Sequence, residues 1–455
     1  MLSDIKIKDI QTYYSLETAR TPLKFGAVVV ESLEFCRIKA TVENGNGETA
    51  TGWGGIFLMD NWGWPTTELA HLDKAAAMKE ITERYVKLVK SYGRAAHPID
   101  VFHDVEDDLR RLSLEVCAER SLSPEIPFLG ALVCASPVDA ALHDAFGNVN
   151  HIDTYDGYGP DFMADLSKYL GPQFQGKYPA DYIRPAYLPQ VPIFHLVGGL
   201  DKLRRSELDG TDPQDGIPNC LEDWIAYEGM YCLKIKARGT DLEWDIARTL
   251  EVYDIGLSEL AKRGQTVMHL TVDTNEQCDS PEYIVEYLAR VREKSQDCYD
   301  KILYIEQPTE RDMTAHRHDM RKLSALKPVI VDESLTDLAS FDLAMDLGWS
   351  GIALKTCKGH SADMLYCARA KEMGIPYSVQ DLTNPSLALI HSVGLGARLY
   401  TIMGVEANSR QFFPASTTKA EKRVHGGIFS LKNGEADTAS LKGTGLGYQM
   451  HKMRG

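Results

Sequence analysis

Lys234, Lys236, Asp273, Glu306, Asp332 and Lys355 are the residues whose types and spacing could do chemistry in this chain. Three segments, LTVDTN, LYIEQPTE and VIVDES, each run from apolar residues into an acidic one and then into turn-like polar sequence, placing Asp273, Glu306 and Asp332 at intervals of 33 and 26 residues. That interval is about one strand, one helix and their loops, so the three carboxylates are expected to end consecutive parallel strands. Carboxylates gathered there make an all-oxygen site for a hard divalent cation, Mg²⁺ rather than Zn²⁺, with Mn²⁺ as a substitute. Lys234 and Lys236 in LKIK precede the acids and Lys355 in GIALK follows them. Side chains two apart on a strand share a face, so both LKIK lysines would enter the same mouth. A neighbouring ammonium lowers a lysine's pKa toward neutrality, which makes it a usable base. Lys355, about three strands further round, would face Lys236 across a ligand. The simplest alternative is that these lysines only form ion pairs with the carboxylates. Opposed ammonium groups with a metal between them suit removal of a proton α to a carboxylate.

The elements that must hold these residues follow from the pattern. Residues 5 to about 57 alternate in β-like stretches broken by Asn44-Gly45-Asn46-Gly47. Helical patterns follow at roughly 67–92 and 98–119, and LGALVCASPVDAALHDAFG is apolar enough to pack between lobes. Residues 151–190, thick in Tyr, Pro, Gly and Asp, read as an ordered insertion. From about 192, eight candidate strands (VPIFHLVGG, YCLKIK, VMHLTVDTN, ILYIEQP, PVIVDES, GIALK, PYSVQD, LYTIMGVEA) alternate with amphipathic stretches. This is the grammar of an α/β fold, a (β/α)8 barrel modified in its last units. An open doubly wound sheet is disfavoured, because no GxGxxG or GxxxxGK[ST] follows an early strand. The expected layout is an α+β capping domain over 1–135, a catalytic barrel over 136–410, and a segment over 411–455 that returns to the cap.

Composition excludes several classes. A formal net charge of −16 over 455 residues argues against nucleic acid or an anionic membrane surface as partner. Nine cysteines, odd in number and without a CxxC pair, fit reduced thiols and a cytoplasmic location rather than a disulfide framework. No apolar run reaches membrane-span length. A zinc hydrolase would want paired histidines at strand ends, and His195 and His269 lack that spacing. A scaffold that had lost its chemistry would lack one or more of Lys236, Asp273, Glu306, Asp332 or Lys355, and none is missing.

The ordered motifs resemble the enolase superfamily, and within it the muconate lactonizing enzyme-like subgroup of the mandelate racemase/muconate lactonizing enzyme family. LKIK matches its second-strand KxK; LTVDTN, YIEQP and VDES match its three metal-ligand strands; GIALKTCK matches its sixth-strand lysine. TPLKFG and GWGG fall where its capping loops fall, SPVDAALHDAFG resembles the helix entering its barrel, and GTGLGY its closing tail. The resemblance implies Lys236 and Lys355 as acid/base pair, Lys234 as electrostatic helper, and Asp273, Glu306 and Asp332 as ligands of one Mg²⁺. Lys358 falls in a loop and is set aside. Asn275, Asp381, Glu406 and Trp53 are expected to touch substrate. PYSVQD carries no histidine, so the histidine–aspartate dyad of mandelate racemases is absent. VEAN lacks the paired aspartates of dipeptide epimerases. The expectation is an isomerase acting on a small carboxylate through an enediolate, by racemisation or epimerisation, with dehydration of an acid sugar or hydroxy acid, or cycloisomerisation, as alternatives. Assembly as a homo-oligomer is also expected.

Overall fold

A computed structural model describes residues 1–25 and 28–453. Strands β1 (Lys6–Phe25), β2 (Val28–Glu43) and β3 (Thr49–Phe57) form an antiparallel sheet in that order. Along β2, Cys36, Ile38, Ala40 and Val42 are buried while the residues between them are partly exposed, the period-two signature of a sheet with one packed face. Gly26, at the end of TPLKFG, lies outside the described residues.

Helices α1 (Asp60–Gly63), α2 (His71–Lys90), α3 (Pro98–Asp104) and α4 (Glu106–Glu119) lead to α5 (Phe128–Val149), which is buried nearly throughout. The sheet can lie against α5 because β3 presents glycine there. A Cβ on Gly52 would come within 2.0 Å of Ala145 N, and one on Gly54 within 2.0 Å of Pro137 O. Only hydrogen side chains permit that approach.

Eight parallel strands then close into a barrel: β4 (Gln190–Val197), β5 (Cys232–Lys236), β6 (His269–Asp273), β7 (Ile302–Glu306), β8 (Val329–Val331), β9 (Gly351–Leu354), β10 (Tyr377–Gln380) and β11 (Val405–Glu406), with β11 pairing back onto β4. The barrel is modified where expected, since β11 is two residues long, and also between β7 and β8, where the helix shrinks to Arg321–Ser324. The LKNGEA segment forms β12 (Glu435–Asp437), which pairs with β4 of the barrel, while Leu446 farther along donates its N–H to Asp144 on α5.

The 151–190 segment is ordered in short 3₁₀ turns and buries Tyr155 and Tyr158. The 200–220 loop is held by Arg20 of β1, whose guanidinium forks onto Asp215 at 2.6 and 2.8 Å. Arg204 and Arg205 are occupied with carboxylates, Glu251 for the first and Asp223 and the buried Glu259 for the second. All nine cysteines are free and buried, and no described helix is long and apolar enough to cross a membrane.

Candidate active site

Strand register brings the site together. Lys236 lies level with Asp273, and Asp273 with Glu306, so these three end β5, β6 and β7 at one height. Asp332 follows β8 and Lys355 follows β9. Lys236 and Lys355 are therefore four strands apart in an eight-stranded barrel. The sequence count of about three was one short, and the two lysines stand on opposite sides of the mouth.

Each ammonium group is paired. Lys234 Nζ lies 2.6 Å from Glu406, 2.8 Å from Glu306 and 3.1 Å from Asp273. Lys236 bonds Asp273. Lys355 lies 2.5 Å from Asp332 Oδ2, and Lys358 lies 3.0 Å from Asp332 Oδ1. The lysines do form ion pairs with these carboxylates, as the simplest alternative expects. This pairing also corrects one expectation: neither Lys234 nor Lys355 is pushed toward neutrality. Burial opposes their charge, but carboxylates outweigh it, led by Glu306 for Lys234 and by Asp332 for Lys355, so both pKa values rise. Burial also works against Asp273 and Asp332, yet Lys236 and Lys355 hold their carboxyls below the usual range. Glu306 goes the other way. Burial and the neighbouring acids Asp273, Asp332 and Glu406 exceed what Lys234 compensates, so its carboxyl favours a proton.

Second contacts fix these groups. Gln380 Nε2 donates to Glu306 at 2.6 Å, and Asn275, in left-handed backbone at φ 47°, donates its main-chain N–H to Asp273 at 2.7 Å. Asp381 is pushed up to about 7 by burial and accepts from Asn384 N at 2.7 Å. Asn384 in turn accepts the N–H of Phe57 at 2.8 Å, which ties the cap sheet to the end of the seventh barrel strand. Asn408 Nδ2 donates to Glu406 at 3.4 Å.

Trp53 does not line this site. It sits on β3, stacked on Tyr13 at 6.1 Å, because the glycines on either side of it take the face toward α5. The aromatic residue over the mouth is Trp62 of α1. Its Nε1 donates to Glu333 at 2.9 Å, and its ring lies 4.8 Å from Lys355 Nζ. Arg311, paired with Glu276, holds the Trp62 carbonyl at 2.9 Å. Trp62, Glu333, Gln380 and Arg311 were missed from sequence, and Lys358, ranked below Lys355 as a loop residue, stands at the site as well. The Asp-Glu pair of VDES was a signal for Glu333, and the second lysine of KTCK for Lys358. About 10 Å³ remains open between the side chains, room for roughly one water. His195 and His269 stand apart, His195 against Trp224 and His269 against Tyr231.

A family model described as enolase C-terminal domain-like matches residues 218–453, just over half of the chain. The chain belongs to the enolase superfamily. Its branch is that of the mandelate racemases and muconate lactonizing enzymes, whose members are isomerases and lyases, and this chain is an enzyme of that kind. No curated protein matches it in sequence. Among solved structures it is similar in fold to the L-Ala-D/L-Glu epimerase from Bacillus subtilis, at 18% identity and TM-score 0.57 over 88% of this chain and 89% of that one. The muconate lactonizing enzyme from Pseudomonas fluorescens gives 16% and 0.58 over 98% of each chain, and the 2-chloromuconate cycloisomerase from Rhodococcus opacus gives 17% and 0.58 over the same shares.

Superfamily enzymes generally use Mg²⁺. Among the described residues no three Asp, Glu, His or Cys side chains stand close enough to cage an ion without rearrangement, since the lysine ammonium groups fill the spaces between the acids. The donor chemistry nevertheless fits a divalent ion. Lys234, Lys236, Lys355 and Lys358 face Asp273, Glu306, Asp332, Glu333, Asp381 and Glu406, every one less than a tenth exposed, which leaves a formal surplus of two negative charges. Glu333, pushed up to about 7 by burial and by Asp332, also has a buried oxygen without a hydrogen-bond partner.

Proposed function

We propose that this enzyme removes the proton α to the carboxylate of a small substrate and returns a proton from the opposite face, a racemisation or epimerisation through an enediolate. The observation that carries this reading is the placement of Lys236 and Lys355 four strands apart, on opposite sides of three strand-end carboxylates. Asp273, Glu306 and Asp332 would hold one Mg²⁺. The ion would supply positive charge beside the substrate carboxylate and so favour the dianion that forms when the α-proton leaves.

The side chains do the rest. One of Lys236 and Lys355, once neutral, takes the proton, and the other, as ammonium, gives one back. Lys234, held among Glu306, Glu406 and Asp273, stays charged and supports the negative side of the site. Trp62 and Leu382 cover the mouth and exclude water, which strengthens each of these interactions. Glu406 and Asn408 at the eighth strand, with Asp381 and Thr383 at the seventh, line the space where substrate substituents would lie.

The test is hydrogen exchange. The protein is incubated with Mg²⁺ in D₂O and panels of hydroxy acids, amino acids, N-acyl amino acids, dipeptides and sugar acids, and products are read by mass and NMR. Deuterium at the α-carbon without net loss supports the reading. Loss of water with the exchange would move the assignment to β-elimination, and ring closure to cycloisomerisation. Activity on any carboxylate that survives Lys236→Ala and Lys355→Ala together would refute it.

A further inference from the structure

Asp332 carries two ammonium groups, and they are bound in different ways. Lys358 is 1% exposed; its Nζ donates to Asp332 O at 2.6 Å, to Asp332 Oδ1 at 3.0 Å and to Ala353 O at 3.5 Å. Three donors meet three acceptors, and two of those are main-chain carbonyls, one just past the end of β8 and one on β9, which no ligand entering the mouth can displace. Lys355 meets the same carboxylate at Oδ2 alone, with the Trp62 ring on its other side at 4.8 Å. An ion at Asp332 would compete with Lys355 for that oxygen while leaving the carbonyl anchors of Lys358 intact.

We infer that the two lysines divide the work at Asp332: Lys358 is a positioning residue that aims the carboxylate, and Lys355 is the exchangeable partner that a divalent cation releases toward the substrate. This rests on the reading of Asp332 as a metal ligand. The sign of the effect separates it from the simpler possibility that Lys358 is only a counter-charge. Removing a cation next to a metal site should tighten metal binding by relieving repulsion. Removing the group that orients a ligand should weaken it, typically about 10–100-fold.

The experiment is calorimetric titration of the full chain with Mg²⁺ alone and Mn²⁺ alone, in wild type, Lys355→Met, Lys358→Met and Lys358→Arg, with thermal melts to confirm that each is folded. The expected result is tighter binding by Lys355→Met and about 10–100-fold weaker binding by Lys358→Met. Lys358→Arg, which keeps the charge but not the three-point contact, should also bind more weakly. Binding by Lys358→Met that equals or exceeds wild type overturns the inference and leaves the metal reading standing. Where Lys358→Met does not fold, wild-type affinity in Lys358→Arg, or weakened affinity in Lys355→Met, overturns it equally. A wild-type protein that binds neither ion refutes the metal reading itself, and the division of work with it.

Discussion

Lys234→Met tests whether the mouth is held by charge rather than by packing alone. Methionine matches the length of the lysine stem, so the change removes an ammonium and little volume. It leaves Glu406, Glu306 and Asp273, at 2.6, 2.8 and 3.1 Å from the lost nitrogen, without their shared cation. All three are less than a tenth exposed, so water cannot replace it. Breaking a buried pair by deleting one partner costs about 3–5 kcal/mol. A second route gives a similar bound. The folded variant can take up one proton at pH 7, and neutralising a carboxylate of ordinary pKa, about 4.3, by protonation there costs about 1.4 kcal/mol per unit, or roughly 3.7 kcal/mol. Unfolding entropy of about 2.1 cal/mol/K per residue across 455 residues converts 3–4 kcal/mol into a fall in Tm of about 3–4 °C. Differential scanning calorimetry of wild type and variant at pH 7 checks it, with Lys262→Met, an exposed lysine, as control. A fall under about 1 °C, or one equal to the control, would show that Lys234 is not the cation that holds these acids together.

Asp144 is buried on α5 and pushed up to about 7 by that burial, against the main-chain N–H groups of Leu446 and Trp53. A folded pKa above the unfolded value of about 3.9 gives stability that is complete below pH 4 and lost as pH rises through 7, about 4 kcal/mol in all. Asp144→Asn cannot lose it, so Tm of the variant relative to wild type should climb by about 4 °C between pH 4 and 7; a flat difference sinks the assignment. Gly54→Ala drives a methyl into Pro137 O at 2.0 Å and should cost about 1–3 kcal/mol or more, whereas Gly159→Ala, with open space around it, should melt like wild type. Trp62→Phe keeps a ring over Lys355 but leaves the Glu333 carboxyl without its donor, so kcat/KM should drop by about 1–3 kcal/mol of binding, roughly 5- to 150-fold. An unchanged kcat/KM would remove Trp62 from the working site.

The reach of the sequence differs between the barrel and its cap for a physical reason. Asp273, Glu306, Asp332, Lys236 and Lys355 are each read from a strand that ends in a polar turn, and strand ends of a barrel converge whatever lies between them, so local pattern suffices. The contacts that close the mouth obey no such rule. Trp62 meets Glu333 across 271 residues, and Phe57 meets Asn384 across 327. Neither pair leaves a periodicity in the chain. Trp53 shows what was legible and overlooked: Gly52 and Gly54 alternate with it, and a strand with glycine on alternate positions turns its small face to a close neighbour and its large one away. The same alternation that placed Lys234 beside Lys236 therefore ruled Trp53 out of the face toward α5. Lys358 fails on different grounds. A lysine three residues past a strand end reads as solvated loop, and only the turn at Thr356–Lys358 carries its ammonium back beneath Asp332, where main-chain carbonyls rather than any side-chain motif hold it. Sequence motifs name the groups that reacting atoms touch, because chemistry restricts their type. The groups that aim them can be any donor at any separation, and only their hydrogen bonds reveal them.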